Sequence, residues 1–294
     1  AQRVSERGLT LKRITDNFTN VQLLVTGSSS FELQSNLSEP LTGRKYEYHL
    51  YPISTAELYD SQGLLPVKQM FESRLIYGSY PDIINHTDEA KELLMNIANS
   101  YLYKDLLAMN EIRRPILLEK LLIALALQVG SEVSYNEVAQ TIGTDNKTVE
   151  KYIDLLEKCY VIFRLNAFNR NLRTELKKSK KIYFYDNGIR NAVIQNFAPL
   201  SLRQDTGALW ENFFISERIK ANHYNGNYAK SFFWRTTQQQ EIDYIEEADG
   251  NFTAFEMKWN PNKRQITFPS PFLNNYPVKE TVVITPENYL EWVM

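Results

Sequence analysis

The last third of the chain predicts a fixed order of elements, and this order restricts the fold most. Residues from about 207 to 222 have the pattern of a helix, and three runs that follow, at 231–235, 241–246 and 252–259, are rich in aromatic or β-branched residues. A connection of undefined structure leads to a last strand at 281–285. The segment therefore predicts the order α-β-β-β, then β, and with the helical patterns upstream we expect a mixed α/β (α+β) fold.

Composition excludes several classes of protein. The 294 residues carry a net charge of -2, which argues against a globally basic nucleic-acid coat but leaves a local basic face open. The single cysteine, Cys159, excludes an internal disulfide framework and a cysteine-based zinc site. The sequence shows no signal-peptide pattern and no run of roughly 18 apolar residues. We therefore expect a cytoplasmic location and no membrane partner.

Acidic residues and a lysine mark the predicted strands of the last third. Glu256 and Lys258 lie two residues apart, so strand alternation places them on the same face. Asp243 belongs to the preceding strand, and Glu211 to the helix before the sheet. Two or three carboxylates at adjacent strand ends suit Mg²⁺, with Asp243 and Glu256 as ligands and Lys258 positioning or deprotonating a water. The competing interpretation is a solvated strand face with a surface salt bridge.

The segment 133–160 predicts two helices separated by a turn at Gly143, and two strands at 161–165 and 181–186 follow it. Helix, glycine turn, helix and hairpin describe a winged helix-turn-helix. Its acidic residues would repel phosphates, so packing against the neighbouring domains is an equally open interpretation. The residues that we expect to contact DNA lie on the second helix and in the basic run of the hairpin: Asn146, Lys147, Lys151, Lys177, Lys178, Lys180 and Lys181.

Near the N-terminus, the apolar run 21–26 has the composition of a buried parallel strand, and a second strand is predicted at 45–50. Polar residues directly after such a strand are where α/β ATPases contact nucleotide. Thr26 or Ser28 would then sense the γ-phosphate, and Arg44 would reach a phosphate in its own subunit or in a neighbour, which would make the protein oligomeric. An ordinary turn and a surface arginine are the alternative.

Two family resemblances extend these expectations. The Glu-x-Lys at 256–258 after Asp243 resembles the PD-(D/E)XK nuclease superfamily, whose core has the order αβββαβ. Nearly the whole chain resembles AAA-like ATPases that carry a DUF4143 region. The matching segments are Thr-Gly-Ser-Ser at 26–29, Leu-Thr-Gly-Arg at 41–44, Tyr-Gly-Ser-Tyr-Pro at 77–81, Tyr-Lys-Asp at 103–105, Thr-Val-Glu-Lys-Tyr at 148–152, Lys-Ile-Tyr-Phe-Tyr-Asp-Asn-Gly at 181–188, Gly-Ala-Leu-Trp-Glu-Asn at 207–212 and Trp-Arg at 234–235.

The chain departs from that family at its phosphate-binding segment. No Gly-x-x-x-x-Gly-Lys-(Ser/Thr) is present, and neither is the Asp-Glu strand that holds the metal in the family. We expect that the chain starts just after these motifs, that ATP binds only the complete protein and that this chain does not hydrolyse it. The resemblance divides the chain into a remnant of the ATPase core (1–54), a helical lid (55–128), a winged helix-turn-helix (129–186) and a nuclease-like domain (187–294).

Three functions remain open at this point. The resemblance implies the C-terminal portion of an AAA-like ATPase that acts on DNA or on a protein partner. The residues Asp243, Glu256, Lys258 and Glu211 suggest instead a Mg²⁺-dependent nuclease. A non-catalytic module that binds proteins or DNA is the third.

Overall fold

The computed structural model describes residues 7–18, 20–27, 45–99, 114–169, 179–260 and 266–294. Those ranges hold thirteen α-helices and one six-stranded sheet, so the predicted mixed α+β class is confirmed. The helices are α1 (Arg7–Asn17), α2 (Thr55–Gln62), α3 (Leu64–Gln69), α4 (Phe71–Tyr77), α5 (Pro81–Asn85), α6 (Ala90–Ile97), α7 (Pro115–Leu127), α8 (Tyr135–Ile142), α9 (Asn146–Lys158), α10 (Asn187–Val193), α11 (Thr206–Tyr224), α12 (Ser270–Asn275) and α13 (Leu290–Val293). The strands are β1 (Ile162–Ala167), β2 (Lys180–Phe184), β3 (Lys230–Arg235), β4 (Glu241–Ala248), β5 (Asn251–Met257) and β6 (Val278–Ile284).

The two strands predicted near the N-terminus are absent, so that prediction is wrong. Residues 21–27 and 45–50 have no regular secondary structure, and Leu24 and Leu50 are about nine-tenths exposed. A strand needs hydrogen-bonded neighbours for its backbone groups. The six strands in the part of the chain that the structure describes pair with one another in a sheet that includes neither segment.

Residues 55 to 127 are largely helical wherever the structure describes them, as the sequence predicts. Ser54 begins α2 with a capping box, because its side chain accepts from the Glu57 N–H while the Glu57 carboxylate accepts from the Ser54 N–H at 2.9 Å. Pro115 stands in the first turn of α7, where its missing N–H costs no hydrogen bond. No helix among the described residues is long and apolar enough to cross a bilayer.

Helices α8 and α9 follow one another across a short turn, and their ends follow from local capping. Ser134 accepts from the Glu137 N–H at the start of α8, and Gly143 ends that helix in the left-handed region with φ of 79°. Asp145 then caps α9 by accepting from the Thr148 N–H at 3.0 Å. The antiparallel hairpin β1–β2 follows, so the order of these elements agrees with the sequence pattern.

The hairpin does not stand alone, because it continues the C-terminal sheet. The strand order is β2-β1-β3-β4-β5-β6, with β3, β4 and β5 antiparallel in succession and β6 parallel to β5. Strand β1 runs parallel to β3 through only two residue pairs, Asn166 with Phe232 and Ala167 with Phe233. This short junction joins the hairpin that follows α8 and α9 to the strands that carry the predicted acidic residues.

Helix α11 packs against β2 and β5 and thereby places Glu211 beside these strands. Trp210 and Phe214 lie on the face of α11 that points into the core, and both are fully buried. Asn212 accepts from the Phe184 N–H at 2.7 Å and donates to the Phe184 carbonyl at 3.0 Å. These two bonds hold α11 to the end of β2, next to Glu211.

The same helix carries a buried charge cluster that ties it to the helical part of the chain. The Glu217 carboxylate accepts a hydrogen bond from Lys220 at 2.8 Å and lies 3.3 Å from the Arg74 guanidinium of α4. It also accepts from the N–H and the hydroxyl of Thr55 at 2.5 and 2.6 Å. All four residues are at most 2% exposed. Glu217 therefore contacts two buried cations, and the buried Asp186 carboxylate also interacts electrostatically with Lys220.

Candidate active site

Asp243, Glu256 and Lys258 meet where β4 and β5 lie side by side. Tyr244 pairs with Phe255 in the antiparallel register, which brings Asp243 beside Glu256 on the neighbouring strand. The Lys258 Nζ lies 2.8 Å from a Glu256 oxygen and 3.7 Å from Asp243 Oδ2. Asp243 Oδ2 also accepts from the Met257 N–H at 3.1 Å. The three predicted residues thus share one place, with the carboxylates largely buried and the lysine partly exposed.

Glu211 enters the same neighbourhood from α11. Its Oε1 accepts from the Tyr183 hydroxyl at 2.6 Å and lies 3.3 Å from the Lys181 Nζ. Glu211 interacts electrostatically with Lys258 and with Asp243. The helix and the two strand ends therefore supply one electrostatically coupled cluster.

Further charges continue this cluster toward β3. Glu241 lies two residues before Asp243, on the same face of β4, and its Oε1 is 2.5 Å from the Lys181 Nζ. Arg235 is the register partner of Glu241 and pairs with Glu132 at 2.7 Å. The described residues of the cluster include five carboxylates and three cations, so two negative charges remain when all groups are ionised. The carboxylates are those of Asp243, Glu256, Glu211, Glu241 and Glu132, and the cations are Lys258, Lys181 and Arg235. One divalent cation would cancel that excess.

Burial and crowding change the acidity of the two inner glutamates. Burial raises the pKa of Glu211 to about 7, outweighing the opposing Lys181 ammonium, and the Asp243 charge adds to the rise. Burial also raises the pKa of Glu256 to about 7, and Asp243 again adds to it. For Lys258, burial lowers the pKa but Asp243 and Glu256 raise it more, so the net shift is upward. Near neutral pH the cluster holds a charged lysine beside two glutamates close to their midpoint.

A pH dependence of stability follows from Glu256. Its folded pKa, about 7, lies above the ordinary value of 4.5, so its stabilising contribution is complete below pH 4.5 and is lost as pH rises through about 7. We expect Glu256→Gln to be more stable than wild type at pH 8, by on the order of 1–3 kcal/mol, and to lose this advantage near pH 5. Urea denaturation in EDTA measures the difference.

Glu280→Gln is the matched control, because Glu280 is exposed on β6 and its replacement should leave the difference flat. An advantage of Glu256→Gln that is equal at pH 5 and pH 8 would contradict this assignment.

The side chains could hold a magnesium ion only if water and substrate supply most of its ligands. No group of three or more His, Cys, Asp or Glu in the described part of the chain is arranged to hold a metal. Magnesium, however, is commonly held by one or two carboxylates, with waters and substrate phosphates completing its ligands. Asp243 and Glu256 provide such a pair of hard oxygen ligands, and their mutual repulsion would be relieved by a cation. The donor set fits an ion that binds together with a phosphate-bearing substrate.

The other predicted site residues lie elsewhere or outside the described ranges. Ser28, Arg44, Lys177 and Lys178 lie outside them, and Thr26 is exposed. Asn146, Lys147 and Lys151 are exposed on α9, where the Asn146 amide donates to the Asn136 side chain at 2.6 Å. The ammonium of Lys180 lies 4.7 Å from the centre of the Tyr135 ring.

Lys181 takes a place that its predicted role does not describe. Its side chain is only 2% exposed and faces Glu211 and Glu241 rather than an open surface. Sequence reasoning also missed Tyr183 and Glu241 as neighbours of the acidic residues. The two-residue spacing of Lys181 and Tyr183, and of Glu241 and Asp243, places each pair on one face of its strand, and this was the signal that the sequence offered. This spacing could not show that the two faces meet, because that depends on the pairing of β1 with β3.

Comparison with known families places three segments of the chain. Residues 1–59 match a family described as "AAA domain", and residues 206–292 match "Domain of unknown function (DUF4143)". Residues 68–200 match "Domain of unknown function (DUF8612)". The chain is therefore similar to AAA-like proteins over residues 1–59 and to DUF4143 proteins over residues 206–292, and neither match covers half of it.

Curated relatives come from bacteria and archaea. An uncharacterized protein of Haemophilus influenzae is 28% identical over 186 residues, which cover 60% of this chain and 46% of the relative. An uncharacterized protein of Mycobacterium tuberculosis is 23% identical over 99% of this chain and 68% of its own length, and one of Methanocaldococcus jannaschii is 23% identical over 80% and 54%. The chain thus spans about half the length of the Haemophilus and Methanocaldococcus relatives. No solved structure matches it.

Proposed function

We propose that this chain is part of an AAA-like ATPase-family protein whose C-terminal segment hydrolyses phosphodiester bonds in DNA with the help of Mg²⁺. The observation that carries the proposal is the convergence of Asp243, Glu256 and Lys258 at neighbouring strand ends, with Glu211 approaching from α11. The order α11-β3-β4-β5-α12-β6 equals the αβββαβ order of the PD-(D/E)XK nucleases and supports the proposal.

The roles of the side chains follow from their charges. A bound Mg²⁺ would supply a Lewis acid that polarises the phosphodiester. Lys258, with its raised pKa, stays protonated and stabilises negative charge that develops on the phosphate, so it suits this role better than that of a base. Glu256 and Glu211, with pKa values of about 7, can exchange protons at neutral pH. Because Glu256 is assigned to the metal and Glu211 is not, Glu211 is the better candidate to accept a proton from water.

Cleavage of supercoiled plasmid in Mg²⁺ or Mn²⁺ tests the proposal. We expect the wild-type chain to nick the plasmid and Lys258→Ala to do so on the order of 100-fold more slowly, because a charge aimed at the transition state is lost. Lys279→Ala is the matched control, since Lys279 is an exposed residue of β6. Absence of cleavage by the wild type, or equal cleavage by Lys258→Ala, would exclude the proposed chemistry.

A non-catalytic module is the second candidate function. The ion pairs of Lys258 with Glu256 and Asp243 favour it, because they close the cluster by internal contacts alone. Such a module would bind DNA through the exposed lysines of α9, Lys147 and Lys151, or would bind a protein. A gel shift that weakens steeply with salt would support DNA contact, since phosphate contacts depend on salt. No shift at low salt would favour a protein partner.

A further inference from the structure

Lys181 comes from outside the strands and helix that carry the acidic residues, yet its ammonium lies among them. It belongs to β2 of the hairpin, and its Nζ is 3.3 Å from Glu211 Oε1 on α11 and 2.5 Å from Glu241 Oε1 on β4. The same Nζ lies 5.4 Å from the centre of the Phe233 ring on β3. One buried cation therefore contacts three elements of the site.

The backbone around Lys181 is held firmly, which makes its position reproducible. Lys181 pairs with Leu165 in the hairpin and forms a bridge with Glu132 on its other side. The Val133 N–H donates to the Lys180 carbonyl at 2.8 Å. With 2% of its side chain exposed, Lys181 cannot reach a DNA backbone that passes over the surface.

We propose that Lys181 is a positioning residue of the cleavage site: it holds Glu211 and Glu241 together and so fixes α11 against the ends of β4 and β5. Tyr183, two residues along the same strand, assists by donating its hydroxyl to Glu211 Oε1. The hairpin that follows α8 and α9 is thereby a structural part of the site. This inference rests on the proposed phosphodiester hydrolysis.

Charge compensation gives a second reason for the cation. Without Lys181, Glu211 and Glu241 would leave the cluster more negative, and like charges in a largely buried place repel one another strongly. The raised pKa of Lys181 agrees with this, because burial, its largest influence, lowers the pKa but Glu211, Asp243 and Glu241 together raise it more. The ammonium is therefore charged throughout the physiological range and stabilises the ionised glutamates.

Steady-state cleavage of a labelled duplex by the whole chain tests this role. We expect Lys181→Met to lower kcat about 10- to 100-fold, the usual effect of losing a residue that orients others in a site. KM for DNA should stay unchanged, because Lys181 does not touch the substrate. Lys181→Arg should recover part of kcat, since it restores the charge.

Lys279→Met is the matched control, because Lys279 is an exposed residue of β6 that the proposal assigns to neither the acidic site nor the DNA contact. It should leave kcat unchanged. Tyr183→Phe removes one hydroxyl from the same contact and should lower kcat by a smaller factor than Lys181→Met. It also tests the role on its own if Lys181→Met does not fold.

Three results overturn the role of Lys181: an unchanged kcat in Lys181→Met, a raised KM with normal kcat, or, if that variant is unfolded, an unchanged kcat in Tyr183→Phe. Absence of any cleavage by the wild type instead removes the proposed function, and the positioning role falls with it. The wild-type rate thus distinguishes the two failures.

Discussion

Replacing Glu217 by alanine is expected to lower the free energy of unfolding by about 3–5 kcal/mol, the cost of leaving buried charges without their partner. Glu217 contacts both Arg74 and Lys220, and none of the three is more than 2% exposed. Burial by itself would raise the pKa of Glu217, but Lys220 and Arg74 lower it to about 2. Its contribution is therefore present above pH 4.5 and lost as pH falls through about 2. Urea denaturation at pH 7 measures the loss.

Glu150→Ala provides the matched control for this experiment. Glu150 lies exposed on α9, and surface substitutions of this kind usually change stability by less than about 0.5 kcal/mol. A Glu217→Ala variant as stable as the Glu150 control would show that the buried cations find other compensation. The cluster would then not be the link between α11 and the helical part of the chain.

Replacing Asp243 by asparagine is expected to slow DNA cleavage by at least about 100-fold and to weaken the binding of Mn²⁺, because a bound metal contributes several kcal/mol to the stabilisation of transition-state charge. The substitution removes one of two carboxylates while its remaining oxygen can still accept from the Met257 N–H. Removal of the Asp243 charge also lowers the pKa of Glu256, because like-charge repulsion is one cause of its rise. The variant should therefore fold normally. Cleavage kinetics in Mg²⁺ and a Mn²⁺ titration measure the two effects.

Asp249→Asn is the control for this change. Asp249 is an exposed turn residue between β4 and β5 with φ of 50°, a conformation that asparagine tolerates well. Its cleavage rate and Mn²⁺ affinity should equal those of the wild type. Equal rates and affinities in Asp243→Asn would mean that the metal, if one is needed, binds elsewhere.

The acidic site could be predicted because its key contacts are local. Asp243 and Glu256 belong to consecutive strands joined by a short turn, so antiparallel pairing alone brings them together. The two-residue spacing of Glu256 and Lys258 then places both on one face. Helix ends could be predicted equally well, because capping residues such as Ser134 and Gly143 mark them in the sequence.

The long-range features could not be predicted from such patterns. The pairing of β1 with β3 involves residues more than 60 positions apart and brings Lys181 toward Glu241. The packing of α11 on β2 brings Lys181 to Glu211. The strand predicted at 21–26 failed for the same physical reason. An apolar run gives the propensity for a strand, whereas a strand forms only where neighbours complete its hydrogen bonds.

Anomalous diffraction from a crystal of the chain soaked in Mn²⁺ tests the proposed metal-dependent chemistry most directly. A single strong peak is predicted between the carboxylates of Asp243 and Glu256, with the Lys258 ammonium displaced from its contacts with both. The peak should vanish in Asp243→Asn. A crystal that shows Mn²⁺ only at other residues, with Lys258 still bound to the two carboxylates, would contradict the assignment of this cluster as a metal-dependent active site.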